Sequence, residues 1–293
     1  MPMSVAPLFV PGHMRRLRDK AVELDIETVL IDLEDAVPGT EKAAARAGAV
    51  ELIRLLPGRC HVRINPLVVT KSFGSACGAE DLAAVVSSGI GGLIAPKIET
   101  ADALRHIDEA IRAAERAASV APGSIELGVT IETALGVVNL VEIARAGLAR
   151  PMRLSFGMGD FTTDIGIEWT RDEAECAVPR AWVPIVSRAA GLGRPRDSVF
   201  VDVADEQGLR ESALRGKRLG YGGKSAIHPK QIAVIEEVYR PTRDEVVWAR
   251  RVVEAAAERA ALGEGAFLLD GKMIDDPIVV RAREVIEQAT REA

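Results

Sequence analysis

The stretch Val29-Leu-Ile-Asp-Leu-Glu-Asp35 is an apolar run that ends in acidic residues. Two later runs end in the same way, Leu127-Gly-Val-Thr-Ile-Glu132 in a glutamate and Leu154-Ser-Phe-Gly-Met-Gly-Asp160 in an aspartate. Apolar runs of this kind are typical of parallel strands that are buried on both faces. Charge gathered at the C-terminal ends of such strands is typical of the active-site face of an α/β barrel. The sequence therefore predicts an enzyme.

Eight strand-like runs in all alternate with helical patterns. The other five runs are Val5–Pro11, His61–Asn65, Leu93–Lys97, Val199–Asp202 and Gly220–Ile227. The predicted helices are 15–24, 41–56, 81–88, 101–118, 136–149, 172–190 and 206–219, on the spacing of their apolar residues. Repeated strand–helix units imply a parallel sheet. Eight of them in this length predict a (β/α)8 TIM barrel rather than an open doubly wound sheet, whose G-x-G-x-x-G motif is absent after the first strand.

The pattern changes after His228. Residues 231–262 read as helix, with Thr242 as a cap and Glu245 completing a capping box. A turn-rich, hairpin-like stretch follows at 263–271, and a final helix is predicted from about Pro277. We therefore expect one domain, with a barrel over 1–230 and a C-terminal helical extension over 231–293 that acts as a lid or as an arm exchanged with a neighbouring subunit.

Composition excludes several classes of protein. The 293 residues are 48% hydrophobic and 27% charged, with a net charge of −6, which gives no general attraction to nucleic acid or to an anionic membrane. We find neither a secretory signal nor an apolar run approaching the ~20 residues that cross a bilayer. Cys60, Cys77 and Cys176 lack CxxC spacing, so we expect reduced thiols rather than disulfides or a zinc site. The predicted location is the cytoplasm.

Glu132 and Asp160 close the fifth and sixth predicted strands, so their carboxylates are expected to meet at the barrel mouth. Two carboxylates, together with water and substrate oxygens, suit Mg²⁺. Only four histidines occur in the chain, and zinc is a poor fit. The alternative is that both acids are helix caps or partners in salt bridges. Their position on adjacent strands, beside Arg63 and Lys97, favours the metal.

Arg63 lies mid-run, so it points into one face of its strand, where a buried arginine needs anionic partners. The partner is either structural, with Glu34 or Asp35, or a substrate carboxylate or developing enolate, and one arginine can serve both. Alternation along the second strand places Asp32 and Glu34 on one face and Asp35 on the other. At least one of these acids is expected to be structural.

Arg15, Arg16, Arg18 and Lys20 crowd the first predicted helix, directly after Pro11-Gly12. A phosphate-bearing ligand bound at the rim of the barrel explains these four basic residues, and a solvated helix face explains them equally well.

The ordered motifs of the chain resemble those of the citrate lyase beta-subunit-like acyl-CoA lyases, in the HpcH/HpaI aldolase superfamily. The resemblance covers essentially the whole chain. It rests on eight blocks, which begin at Leu8, Asp32, Val62, Pro96, Ile131, Phe156, Gly222 and Asp270.

The resemblance implies a TIM barrel in which Glu132 and Asp160 bind Mg²⁺. It also implies that Glu132 contacts the substrate. It implies that Arg63 binds substrate oxygens and that Phe9 and Arg16 lie along the path of CoA. It also implies that Asp275 reaches a neighbouring subunit's site in a homotrimer or hexamer.

The implied reaction cleaves or forms a 3-hydroxyacyl-CoA such as malyl-CoA or citramalyl-CoA, giving an acyl-CoA and a 2-oxo acid (glyoxylate or pyruvate). Arg63 would stabilise the enolate and Asp275 would exchange its proton. Two positions depart from the family. Gly159 stands where some malyl- and citramalyl-CoA lyases have a glutamate, and Pro66–Gly78 is a variant stretch that we expect to form a mobile flap.

Two other functions fit the same residues less well. Metal-dependent pyruvate-type aldolases acting on free acids resemble this chain, but they place a catalytic histidine where Asp35 stands, and they lack the tail. A citrate lyase beta subunit acting on a carrier-bound citryl thioester, within a larger complex, is the second alternative. Retention of Arg63, Glu132, Asp160 and Asp275 speaks against an inert subunit.

Overall fold

The computed structural model describes residues 4–67 and 77–291 of the chain. It divides into two compact units, Met1–Glu236 and Glu237–Ala293, so the division falls inside a helix. In the described part of the chain, no helix combines the length and the apolar character needed to cross a membrane.

Six parallel strands form the sheet of the first unit, each paired with the next along the chain. Their order is β1 to β6, and they are β1 Leu8–Pro11, β2 Val29–Asp32, β3 Cys60–Arg63, β4 Gly92–Ala95, β5 Glu126–Ile131 and β6 Met152–Phe156. Valine, isoleucine and leucine fill the faces that point to the helices, and most of these side chains are fully buried.

Two short extended segments close the sheet into a barrel. Arg196 bridges Ser155 of β6, Asp197 bridges Lys224, and Ala226 bridges Leu8 of β1. The amide of Phe9 donates to the carbonyl of Ala226 at 2.8 Å, and the amide of Ala226 donates to that of Pro7 at 2.8 Å. The predicted (β/α)8 barrel is therefore confirmed.

Nine helices of the described chain accompany these strands in the first unit, and one more spans the boundary. They are α1 Arg15–Glu23, α2 Lys42–Leu55, α3 Gly78–Val85, α4 Ala101–Ala117, α5 Ala134–Val138, α6 Leu140–Ala144, α7 Met158–Ile165, α8 Ala177–Ala189, α9 Glu206–Leu219 and, across the boundary, α10 Pro229–Tyr239. The predicted single helix 136–149 is two, because the chain turns at Asn139, whose side-chain amide donates to the carbonyl of Glu99 at 2.9 Å.

The predicted seventh strand, Val199–Asp202, was wrong. The strand position is occupied by Arg196 and Asp197, while Val201 is 57% exposed. The reason lies in the side chains. Asp197 is buried with Arg180 and Lys224, and this ion pairing fixes the segment more strongly than the apolar run that follows it.

The C-terminal unit contains two helices and a hairpin. These are α11 Arg243–Ala261, β7 Phe267–Leu269, β8 Lys272–Ile274 and α12 Asp276–Arg291. The predicted helix 231–262 is interrupted before Pro241, and Thr242 then begins α11 with the predicted capping box. The hairpin lies slightly later than expected, because Asp270 and Gly271 adopt the positive φ angles that a tight two-residue turn requires.

Candidate active site

The cavity of interest lies inside the barrel, reaches the C-terminal ends of its strands and measures about 160 Å³. Phe9, Arg63, Glu132 and Asp160, all predicted from the sequence, line it together. Trp169 also lines the cavity, as do hydroxyl side chains at Thr130, Ser155, Ser198 and Ser225.

Arg63 is held by a fork of two hydrogen bonds. Its Nε and Nη2 donate to the two carboxylate oxygens of Asp32, both at 2.8 Å, and its Nη1 lies 3.2 Å from Oε2 of Glu34. Burial opposes the charged form, yet these acids hold the pKa of Arg63 well above its ordinary value. Its guanidinium carbon lies 5.1 Å from the centre of the Phe9 ring. Arg63 is therefore a fixed, charged donor at the cavity wall.

The acids after β2 do not alternate as predicted. The strand ends at Asp32, whose carboxylate accepts from the amides of Glu34 at 2.9 Å and Ala36 at 3.0 Å and so closes a turn. Glu34 and Asp35 consequently both reach the ammonium group of Lys97. Burial, reinforced by Asp35, raises the pKa of Glu34 to about 7 in spite of Arg63 and Lys97. Asp32 is the structural acid of this group.

Glu132 follows β5 directly and is 2% exposed. One of its carboxylate oxygens accepts from the amide of Lys97 at 2.8 Å. The other lies against Gly157, where an added Cβ atom would approach it to 2.4 Å. Gly157 is itself fixed to the neighbouring strand, since its amide donates to the carbonyl of Ile131 at 3.0 Å. Only glycine fits between this backbone and the carboxylate.

Asp160 does not lie at the end of a strand, contrary to the prediction. β6 ends at Phe156, and Asp160 is in the first turn of α7. The hydroxyl of Ser198 accepts from the amide of Met158 at 3.0 Å and fixes the beginning of this helix. A helix N-terminus favours a negative charge, so the position suits a carboxylate as well as a strand end would.

Glu132 and Asp160 line the same cavity, and Lys97 contacts both of them, Glu132 through its amide and Asp160 through its ammonium group. Burial, with the nearby acids Glu34 and Asp160, raises the pKa of Glu132 well above its usual value. Burial, with Asp35, raises that of Asp160 despite Lys97 and Arg63. A divalent cation would offset the repulsion between the two carboxylates, and carboxylate oxygens are the ligands Mg²⁺ prefers. In the described residues, no group of three or more histidine, cysteine or acidic side chains is arranged to hold a metal ion.

Sequence reasoning gave no role to three residues of the site. Lys97 was noted beside the acids but not given a role, and its left-handed backbone, with φ of 53°, has no sequence signature. Trp169 comes from the irregular segment after α7, where no periodicity points to the cavity. Thr130 could have been predicted from the sequence, because it stands two residues before Glu132 and thus on the same face of the chain.

The basic residues of α1 are partly structural. Arg18 is buried, and it donates to the carbonyl of Gly12 at 2.6 Å and to Glu51 at 3.0 Å. Arg15 and Lys20 pair with acids of their own helix. Arg16 is exposed and is not among the residues that line the cavity.

The remaining predictions fall elsewhere. Asp275 belongs to the C-terminal unit, where it directly precedes α12 and its carbonyl accepts from the amides of Ile278 and Val279. Of the predicted flap, residues 68–76 lie outside the described part of the chain.

The sequence matches the family model described as HpcH/HpaI aldolase/citrate lyase over residues 6–229. It is 35% identical to the citrate lyase subunit beta of Escherichia coli (strain K12) over 282 residues, covering 96% of this chain and 92% of that protein. It is 29% identical to the mitochondrial citramalyl-CoA lyase of Homo sapiens over 303 residues, covering 97% and 85%.

Two solved structures are also similar to this chain. CitE of Mycobacterium tuberculosis, in complex with magnesium, acetoacetate and coenzyme A, superposes with a TM-score of 0.76 at 28% identity, covering 99% of both chains. The citrate lyase beta subunit of the same organism, complexed with oxaloacetate and magnesium, gives 0.65 at 27% identity and covers 82% of this chain and 98% of that one.

Proposed function

The chain belongs to the HpcH/HpaI aldolase/citrate lyase family, and from this membership we propose that it is a Mg²⁺-dependent carbon–carbon lyase. Its proposed substrate is a 3-hydroxyacyl-CoA such as malyl-CoA or citramalyl-CoA, which it cleaves to, or forms from, an acyl-CoA and a 2-oxo acid. The observation that carries the proposal is the carboxylate pair of Glu132 and Asp160, which lines one cavity together with Arg63. Relatives solved with magnesium and coenzyme A support it.

Glu132 and Asp160 would hold the metal. Mg²⁺ bound there would supply Lewis-acid polarisation and a template for the substrate's hydroxyl and carboxylate oxygens. Glu132 is prepared for this role by the Lys97 amide and by Gly157, which restrict its carboxylate before any ligand arrives. Such restriction reduces the reorganisation needed when the substrate binds.

Arg63 would stabilise the negative charge that develops on the thioester oxygen as the carbon–carbon bond breaks. The fork to Asp32 fixes its guanidinium, and the face of Phe9 covers one side of it. A donor held in place before the reaction stabilises the transition state more than one that must be ordered during the reaction. As the carbon–carbon bond breaks, the carbinol hydroxyl gives up its proton and becomes the oxo group of the departing 2-oxo acid. The acyl-CoA enolate must then gain one proton at carbon, so the two proton transfers cancel overall.

We assign that proton transfer to Asp275 of a neighbouring subunit, in a homotrimer or hexamer. Asp275 lies at the exposed beginning of α12, directly after the hairpin of the C-terminal unit. An exposed carboxylate at the beginning of a helix can enter the surface of a neighbouring subunit. Arg16, exposed on α1, would meet a phosphate of CoA, with the acyl arm directed towards Phe9 and Arg63.

A citrate lyase beta subunit that acts on a carrier-bound citryl thioester is the second candidate. It is supported by the 35% identity to the Escherichia coli subunit over nearly the full length of both chains. The two functions share the chemistry at the carboxylate pair and differ in what carries the thioester. A free CoA ester should be cleaved by the isolated protein only in the first case.

The test is a cleavage screen with malyl-, methylmalyl- and citramalyl-CoA in the presence of Mg²⁺, with the 2-oxo acid trapped as a coloured hydrazone. Asp160→Ala should abolish metal-dependent cleavage while the protein remains folded, because one of two protein ligands is lost. Asp102→Ala is the matched control and should stay active, because Asp102 also lies in the first turn of a helix, α4, but its side chain is 92% exposed and does not line the cavity. Retention of the same Mg²⁺ dependence by Asp160→Ala would rule out the metal assignment.

A further inference from the structure

Lys97 has a backbone conformation that lysine rarely adopts. It follows β4 by two residues, and its φ is 53°, in the left-handed region that costs a residue with a Cβ atom free energy. The strained turn directs the Lys97 amide to Oε1 of Glu132 at 2.8 Å. Strain of this kind persists where the surrounding structure holds it, and such places cluster at functional sites.

The side chain of Lys97 turns to a different set of acids. It is 2% exposed, and its ammonium group hydrogen-bonds to Oε1 of Glu34 and to both oxygens of Asp35, at 3.0 and 2.9 Å. It also lies 3.8 Å from Oδ1 of Asp160. One residue thus contacts Glu132 through its backbone and Asp160 through its charge.

Lys97 supplies part of the positive charge in an acidic cluster beside the cavity. Five carboxylates stand within this cluster, at Asp32, Glu34, Asp35, Glu132 and Asp160. Against them stand Arg63 and Lys97. Arg63 is held by the fork to Asp32 and also lies 3.2 Å from Glu34. Lys97 therefore shares Glu34 with Arg63, and it is the nearer cation to Asp35, at 2.9 Å against 3.9 Å. A divalent ion bound by Glu132 and Asp160 would bring two more positive charges.

We propose that Lys97 is a positioning residue that sets the charge of the site. Its amide orients Glu132, and its ammonium group neutralises the acidic turn after β2, so that a substrate bearing a carboxylate can approach. The inference rests on the proposed function and deepens it, because it names what lets an anionic substrate bind beside five acids. Lys97 is not assigned a contact with the substrate.

The two halves of the proposal predict opposite effects on two ligands. Lys97→Met keeps the backbone amide, so Glu132 should stay oriented while one positive charge is lost. A divalent cation should then bind no more weakly than in the wild type, since the site is more negative. An anion should bind more weakly, by about tenfold or more, because unit charges separated by several ångströms interact strongly at a partly buried site.

The experiment is calorimetry on the full chain, first with Mn²⁺ alone and then with pyruvate at saturating Mg²⁺. The expected result for Lys97→Met is unchanged or tighter Mn²⁺ binding with pyruvate binding weakened about tenfold or more. Lys97→Arg should restore most of the affinity for pyruvate. In a lyase assay, the same loss should appear as a raised KM for the hydroxyacyl-CoA. Lys97→Gly removes the charge and relieves the left-handed backbone, so it provides a second neutral variant if the methionine variant does not fold.

Lys217→Met is the control for the substitution itself. Lys217 is in the last turn of α9, and helices of a (β/α)8 barrel end at the face opposite the site. Lys217→Met should bind Mn²⁺ and pyruvate with the same affinities as the wild type. Weaker binding of Mn²⁺ and pyruvate together in Lys97→Met and Lys97→Gly would mean a collapsed site and would overturn the inference, as would unchanged pyruvate binding. Absence of binding in the wild type would instead overturn the proposed function.

Discussion

Glu132 owes its conformation to two neighbours that contribute only backbone. The amide of Lys97 donates to one of its carboxylate oxygens, and the Cα of Gly157 leaves room for the other. A glutamate has several rotatable bonds, so an unrestrained one would lose conformational entropy each time it bound a metal. Here the surrounding backbone has already imposed that order.

Gly157→Ala tests this restraint. The added methyl group would lie 2.4 Å from Oε2 of Glu132, so the carboxylate must move away from the metal position. We expect turnover to fall at least about a hundredfold, since small displacements in an active site have effects of that size. Gly39→Ala is the control, because an added Cβ there meets nothing within 4 Å. The comparison requires kcat, KM and Tm for both variants, and equal activities would contradict the restraint.

Sequence alone located Arg63 and Glu132 because the end of a parallel strand is readable from its apolar run. Asp160 was identified for the wrong reason. The run from Leu154 to Asp160 reads as one strand, but the strand ends at Phe156 and the chain then enters α7. The convergence of Glu34 and Asp35 on Lys97 was not predictable. It depends on where β2 stops, and that is set by hydrogen bonds from the turn to Asp32.

At the scale of elements, α8 is attached to the barrel through a buried ion pair. Arg180 donates to Asp197 at 3.1 and 2.6 Å and to Glu173 at 2.6 Å, and all three are almost fully buried. Lys224 joins them 3.3 Å from Asp197. The lysine of the Gly-Gly-Lys-Ser block is thus structural.

Arg180→Met should destabilise the protein by about 3–5 kcal/mol, since it leaves Glu173 and Asp197 buried without their main partner. Arg171→Met is a matched control, because Arg171 also forms a fork to an aspartate, Asp205, but its side chain is 57% exposed. An exposed pair contributes about 0–1 kcal/mol. Chemical denaturation of both variants measures the difference. Similar losses would show that burial of the network does not matter.

The same network explains why the seventh strand was misassigned. Apolar residues at Val199–Asp202 fit the expected pattern, but a pattern reports only the tendency of side chains to be buried. The pairing of Asp197 with residues about 17 and 27 positions away is a tertiary interaction, and it decides which part of the segment enters the sheet.

At the scale of the whole molecule, a histidine buried in the barrel makes the stability of the protein depend on pH. His61 lies in β3 two residues before Arg63, and its ring packs against Gly92 of β4. Burial, with the positive charges of Arg196 and Arg153, lowers the pKa of His61 to about 4. The histidine is therefore neutral in the folded protein at a pH where the unfolded chain takes up a proton.

This pKa predicts a loss of stability as the pH falls. The contribution of His61 is fully present above the unfolded value of about 6.5 and is lost progressively down to about 4. It amounts to at most about 3 kcal/mol. His61→Met should remove this part of the acid sensitivity, which is read as a shallower slope of unfolding free energy against pH. Parallel slopes for the two proteins would contradict the assignment.

A site shared between subunits gives a prediction for the assembly. Asp275→Asn and Glu132→Ala should each be nearly inactive, because one lacks the proposed proton donor and the other a metal ligand. If Asp275 serves a neighbouring barrel, mixed and exchanged subunits should regain activity, since some sites then hold both wild-type residues. Subunit exchange is followed by mass spectrometry of tagged copies. Demonstrated exchange without recovery would falsify the shared site.

The barrel closes through contacts between its first strand and residues 224–226, and this governs the order in which the chain can fold as it is synthesised. The six strands β1 to β6 are complete at residue 156, yet β1 must wait for Ala226 before its outer edge is paired. At roughly 5–20 residues per second, translation of that interval takes roughly 4–14 s. An unpaired strand edge is a template for association with other chains. The nascent protein therefore passes through a period of several seconds in which protection from its neighbours must come from the ribosome or from chaperones.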